Sequence, residues 1–207
     1  MRPDDKARGE YVAAFREIVE RIARQLAHVP KRGLPVRMYV AGGAALHFYT
    51  GERVSRDIDA TFSRRIVLPD DLEVAYRDAD GAASLLYFDR QYSDALALLH
   101  EDAYEDAEPL ALRGIDPAVL DVRLLTPIDL AVSKVGRFSS QDRDDIAALA
   151  RHKLITATAF RRRAEDALKA TVGDTGRIRG SIESAQRIID DVAGRHARRS
   201  RPGRGRR

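Results

Sequence analysis

The amino-acid sequence predicts an α/β protein of the α+β kind: a mixed β-sheet flanked by helices, followed by a helical carboxyl-terminal half. Three observations predict it. Apolar residues recur at spacings of three and four near the amino terminus, which marks a leading amphipathic helix. Short β-branched stretches then alternate with loops and one short helix through the first 125 residues. After Leu125 helical periodicity continues with no further strand-like stretch.

Taken in order, residues 5–29 read as the first helix, with Tyr11, Phe15, Ile18, Val19, Ile22 and Leu26 on one face. Pro30 ends it and Lys31-Arg32-Gly33 turns the chain. Residues 36–40 form a short strand that runs into Gly42–Gly43, and residues 44–49 resemble a short helix broken by Thr50-Gly51-Glu52. Residues 54–62 read as a second strand with period-two character. Residues 65–68 and 84–88 are further strands, and 92–99 is a helix or a loop packed on the sheet. Residues 119–125 make a strand, with Val119, Leu120, Val122, Leu124 and Leu125 available for burial. Thr126 caps and Pro127 opens a run of helices at about 127–136, 142–151, 156–171 and 179–193. The expected organisation is an α/β core over 1–125, a helical region over 126–194 packed on it, and an arginine-rich tail over 195–207.

Composition narrows the function classes. The 207 residues include no cysteine, which excludes disulfides, thiolate metal sites and a cysteine nucleophile and fits a reducing cytoplasm. No apolar run approaches the roughly 20 residues needed to cross a bilayer. The start Met1-Arg2-Pro3-Asp4-Asp5 has no apolar signal core, so a cytoplasmic protein without a membrane partner is expected. Residues 195–207 hold seven arginines and no acid against a formal net charge of +4, so the rest of the chain is net acidic. Such a Pro/Gly/Arg run buries no apolar surface and is expected to be disordered. It is either a solvated terminus or an electrostatic arm for RNA or DNA phosphates. Histidine spacings suit no metal site, and no nucleophile-elbow sequence marks a hydrolase. Tyr87, Phe88 and Tyr92 read as core residues rather than a base-stacking platform, and Arg161-Arg162-Arg163 as a contact for RNA phosphates or, as is usual for such a run, a solvated helix face.

The residues that carry chemistry are Gly42, Gly43, Asp57 and Asp59. A strand ending in two glycines and opening a helix lets backbone N–H groups approach a phosphate, and the helix dipole adds attraction. Asp57 and Asp59 straddle Ile58 on a predicted strand, so their side chains leave one face about 7 Å apart. Two carboxylates on one face repel each other unless a cation lies between them, and oxygen ligands suit Mg²⁺ or Mn²⁺.

An apolar strand, Gly42-Gly43, then Asp57-Ile58-Asp59 starting 14 residues after Gly43, resembles the signature of the nucleotidyltransferase superfamily. Gly42-Gly43-x-x-Leu46, Arg53-x-Ser55-x-Asp57-Ile58-Asp59, Lys134-x-x-Arg137 and Asp142 to Asp145 are similar to a narrower branch. That branch is the nucleotidyltransferase-like toxins of type IV (abortive-infection) toxin–antitoxin systems; the motifs cover about residues 36–150. The resemblance implies a nucleotidyltransferase-like fold in which Gly42 and Gly43 cradle an NTP, with Ser55, Arg56 and Lys134 as further nucleotide contacts. It implies that Asp57 and Asp59 hold the catalytic Mg²⁺, and that Asp145 or Asp142 is a late carboxylate working with Lys134. A third metal carboxylate belongs on a later strand, where Asp121 is better placed than Asp102. The implied reaction transfers a nucleoside monophosphate to a macromolecular hydroxyl, of the tRNA 3′ end or of a protein, and the implied partner is a cognate antitoxin. The sequence departs from the pattern at Gly43, where many relatives carry serine, and Ser55 is not placed by spacing to replace it. This departure and the unassigned third carboxylate motivate a second reading, a catalytically weak fold serving as a nucleotide- or RNA-binding module.

Overall fold

A computed structural model describes residues 6–171 and 174–199. The chain divides into two compact units. One runs through Ala95 and resumes over Asp102–Thr126; the other consists of Leu96–Glu101 and the chain from Pro127 onward.

In the first unit, α1 (Gly9–Gln25) is followed by β1 (Val36–Val40), α2 (Gly42–Thr50), β2 (Asp57–Ile58) and β3 (Ala60–Phe62). Then come β4 (Glu73–Arg77), β5 (Ala83–Phe88), β6 (Glu108–Pro109) and β7 (Leu120–Leu124). The strands form two sheets, β3-β1-β7-β6 and β2-β5-β4. Residues 57–62, expected as one strand, change sheet at Asp59. Before it β2 runs parallel to β5, and after it β3 runs antiparallel to β1.

Alternation explains the central strands. Val36, Met38 and Val40 of β1 and Leu120, Val122 and Leu124 of β7 are buried, and the two strands pair in parallel from Val36–Leu120 to Val40–Leu124. The α1 face is the one its periodicity predicts, with Tyr11, Phe15, Ile18, Val19 and Ile22 fully buried. Phe15 meets Phe48 of α2 edge-to-face at 4.9 Å, a geometry worth about 0.5–1.5 kcal/mol beyond the area buried. Helix α2 is apolar all round and buried from Gly43 to Thr50, and it ends at Gly51 in the left-handed region.

Several boundaries differ from expectation. α1 closes in a 3₁₀ turn at Leu26–His28, and α2 begins at the glycines rather than after them. Residues 65–68 form no strand, and Val67 is exposed. β4 and β6 were not predicted: β6 has two residues, and the Glu-Val-Ala-Tyr-Arg of β4 buries only Val74. Of the two readings of residues 92–99, helix or loop, the chain takes the loop, with a 3₁₀ turn at Asp94–Leu96.

The second unit holds α3 (Pro127–Ser133), α4 (Ser140–Arg151), α5 (Ala157–Lys169) and α6 (Gly176–Arg199). Its core gathers Ile146, Leu149, Phe160, Ala164, Ile182, Ala185 and Ile189. Fully buried Asp129 of α3 accepts a two-bond fork from Arg163 of α5 at 2.8 and 3.0 Å, so Arg163 is structural rather than a solvated-face residue. α6 continues to Arg199, so the tail expected from residue 195 is helical over its first five residues. Residues 200–207 lie outside the described residues. No helix among the described residues is long and apolar enough to cross a membrane.

Candidate functional site

The end of β1 and the start of α2 set the site. Ala41 is the N-cap of α2 and has no side-chain group to bond the first turn. First-turn N–H groups and the helix dipole make such an end attractive to an anion. Gly42 has φ +57°, and a Cβ there would fall 1.8 Å from Asp59 Oδ2. Only glycine meets both conditions. Asp59 is fixed from its own backbone, because Ala41 N–H donates to its carbonyl at 2.8 Å. Its carboxylate therefore lies against the Gly42 Cα.

Asp57 is tied to the same turn by a different route. Ser55 Oγ donates to Asp57 Oδ1. Ser55 itself packs on Gly43, where an added Cβ would meet Ser55 Oγ at 2.6 Å, Ser55 Cβ at 2.8 Å and Arg53 Nη2 at 2.6 Å. Ser55 Oγ thus lies at Gly43, a placement its spacing in the sequence does not suggest. Ile58 and Ala60 are buried while Asp57, Asp59 and Thr61 are partly exposed, so the two aspartates share the open face of the strand.

Arg56, expected as a nucleotide contact, has an exposed side chain. The guanidinium that reaches Gly43 belongs to Arg53. The signal was present in the sequence: the alternation that pairs Asp59 with Asp57 runs back through Ser55 to Arg53. Two tyrosines also border the carboxylates. Tyr11 is fully buried, and its Oη has no hydrogen-bond partner. Burial first, then Tyr76 and the charges of Asp57 and Asp59, push its phenol up, so it stays protonated. Burial and the charge of Asp59 likewise push Tyr92 up.

The structure does not bring Asp121 to this corner. Asp121 pairs in register with Arg37, four residues before Ala41, which is about 13 Å back along the strand. Its carboxylate accepts from Arg123 Nε at 2.7 Å, with Arg37 Nε at 3.7 Å. Asp102 is exposed in a turn. The residue next in register beside Asp59 is Asp89. β2 and β5 pair as Asp57–Tyr87 and Ile58–Phe88, and Asp89 N–H donates to Ile58 O at 3.1 Å, which sets Asp89 beside Asp59. Asp89 Oδ1 also accepts from Gln91 N–H at 2.8 Å.

Asp57 and Asp59 suit a small divalent cation. They offer hard oxygens beside an uncapped helix end, and Mg²⁺ is commonly held by one or two carboxylates together with substrate phosphates. Phosphate and water would complete the shell of an ion held by two carboxylates.

Lys134, Asp142 and Asp145 come together within the second unit. Lys134 Nζ donates to Asp145 Oδ2 at 2.6 Å and lies 4.0 Å from Asp142 Oδ1, all three side chains being buried. Asp142 accepts a fork from Arg137 at 2.8 and 2.9 Å and forms a capping box with Ser139. Burial raises the Asp142 carboxyl, but Arg137, the Ser139 hydroxyl and N–H, and Lys134 outweigh it and hold it down at about 2. Phe138, at φ 55°, carries the chain between the two helices, and Arg143 lies over its ring at 5.6 Å.

A family model described as "Nucleotidyltransferase of unknown function (DUF6036)" matches residues 17–183. No curated protein and no solved structure matches the chain.

Proposed function

The chain belongs to this family of nucleotidyltransferases, and from that premise we propose that it transfers a nucleoside monophosphate from an NTP to a macromolecular hydroxyl. One observation carries the proposal: Asp59 lies against Gly42, and Asp57 is tethered through Ser55 to Gly43. The glycine turn and the carboxylate pair are thereby one site.

In this reading the first-turn N–H groups of α2 bind the triphosphate and Arg53 adds positive charge beside Gly43. Asp57 and Asp59 hold the divalent cation, Mg²⁺ or Mn²⁺, which when bound neutralises phosphate charge and acidifies the attacking hydroxyl. Ser55 fixes the rotamer of Asp57. The hydroxyl oxygen bonds to the α-phosphorus in line with the bridging oxygen to the β-phosphorus. That bridge breaks, pyrophosphate leaves and the hydroxyl proton passes to water. Positioning and charge neutralisation supply the rate. Lys134 and Asp145 enter the proposal from the resemblance, as do the tRNA 3′ end as acceptor and a cognate antitoxin as partner. Ser55 beside Gly43 weakens one motive for a binding-only reading, and the unassigned third carboxylate keeps the other, which the labelling assay decides.

Pure protein with Mg²⁺, each α-labelled NTP and total tRNA tests the proposal. Label is expected on tRNA in wild type and not in Asp57→Ala or Asp59→Ala. Labelling that persists in both variants ends the assignment. Growth arrest on induced expression, relieved by the Asp59 variant, would support the toxin role.

A further inference from the structure

The open face that carries Asp57 continues sideways across β5 and β4. Asp57 pairs in register with Tyr87, and Tyr87 pairs with Glu73, so the three side chains form a row across the three-stranded sheet. Neighbouring strands lie about 4.8 Å apart, which puts the Tyr87 ring next to Asp57 and Glu73 about 10 Å from it. Tyr87 is not the core residue that its apolar neighbours suggest: it is 40% exposed, whereas Phe88 is 6% exposed. An open groove of about 450 Å³ lies at the Tyr87–Glu73 end of the row, lined by Leu72, Glu73, Tyr87, Phe88 and Arg90 among others. Arg90 Nη2 donates to the carbonyls of Pro69 and Asp70, fastening the loop before β4 to the end of β5.

We propose that this groove is a nucleobase subsite, with the base stacked on Tyr87 and its polar edge toward Glu73. The inference rests on the nucleotidyltransferase reading for the nature of the ligand. If the triphosphate occupies the Gly42 side of the aspartates, whatever is joined at the α-phosphorus extends to the other side, toward β5. Every base has a π-face for an exposed ring. A carboxylate accepts hydrogen bonds from exocyclic amino groups. Asp71 is paired with Arg21 at 2.7 Å and Arg90 also lines the groove, so Asp70 and Glu73 leave it mildly acidic, which favours an uncharged heterocycle over a phosphate. The base belongs either to the incoming NTP or to the terminal acceptor nucleotide.

The chain contains no tryptophan, so Tyr87→Trp installs a single fluorescent reporter at the proposed stacking surface. Mononucleotides or short oligoribonucleotides are expected to quench it. No quenching by either overturns the subsite, whatever the catalytic activity. Quenching in a protein whose wild type transfers no nucleotide keeps the subsite and removes the transferase reading. In active protein, Tyr87→Ala should weaken one partner about tenfold or more, and Tyr87→Phe should stay within about twofold of wild type. A rise in NTP Kd without acceptor assigns the base to the NTP; a rise only in acceptor KM assigns it to the acceptor. Glu73→Gln should reduce the preference for amino-bearing bases over uracil. Transfer and both affinities unchanged in Tyr87→Ala would overturn the proposal.

Discussion

At Gly43 an added side chain would run into Ser55, whose Cβ and Oγ stand 2.8 and 2.6 Å from the position of a Cβ. The familiar serine after the first glycine and the serine found here at 55 therefore compete for one volume. Gly43→Ser alone should cost about 1–3 kcal/mol of stability by overpacking and displace Ser55 from Asp57. Gly43→Ser combined with Ser55→Gly should recover much of both losses, a coupling that denaturant melts and steady-state kinetics of the cycle would measure. Additive losses would show that the two hydroxyls are not equivalent. The carboxylates are ranked by the same local geometry. Asp57→Asn and Asp59→Asn are expected to lower kcat/KM about 100-fold or more. Asp89→Asn should fall between them and wild type, because Asp89 stands beside Asp59 but has one oxygen on Gln91 N–H. Asp121→Asn should change kcat/KM by less than about threefold, since its carboxylate is held by Arg123 and lies four register steps away. Equal losses at Asp121 and Asp59 would refute that ranking.

At the scale of elements, the corner between α3 and α4 is a packed charge network whose structural cost can be separated from any role in transfer. Removing only Lys134 or only Asp145 leaves a buried charge, at a cost of about 3–5 kcal/mol, whereas Lys134→Met with Asp145→Leu removes both charges. A double variant that melts near wild type but transfers no nucleotide would support the catalytic assignment; full activity would reduce the pair to packing. Asp142 gives the corner a pH signature. Its folded carboxyl sits near 2 against an ordinary 3.8, so its stabilisation is complete above about pH 4 and is lost as pH falls toward 2. The shift corresponds to about 2 kcal/mol, and Asp142→Asn should remove about that much of the acid-side loss in unfolding free energy measured by denaturant titration at several pH values. How far such features were legible varies by element. β1 and the first face of α1 follow from local periodicity. The handover at Asp59 does not, because alternation tells which face a residue takes but not which strand lies beside it. That is why Asp121 drew attention and Asp89 did not. The unbroken apolar run from Leu85 to Phe88 likewise hides its phase, and only pairing with Asp57 turns Tyr87 outward.

For the whole molecule, charge is distributed as unevenly as chemistry. A formal net charge of +4 accompanies seven arginines in residues 195–207, and four of them, Arg201, Arg204, Arg206 and Arg207, follow the end of α6. If the acceptor is RNA, as proposed, long-range attraction to it comes mainly from the carboxyl end, since the remaining residues are net acidic and repel phosphate. Each cation that neutralises a single-strand phosphate contributes about 0.7 to the slope of log affinity against log salt. Deleting residues 200–207 should therefore lower that slope by about 3 and weaken RNA binding most at low salt. Turnover at saturating acceptor should be unchanged, because none of the deleted residues belongs to the glycine turn or the carboxylate pair. Binding titrations at several salt concentrations, run beside single-turnover transfer, measure the two effects separately. An unchanged slope would place RNA attraction elsewhere on the chain, and a loss of turnover at saturation would bring the tail into the transfer step itself.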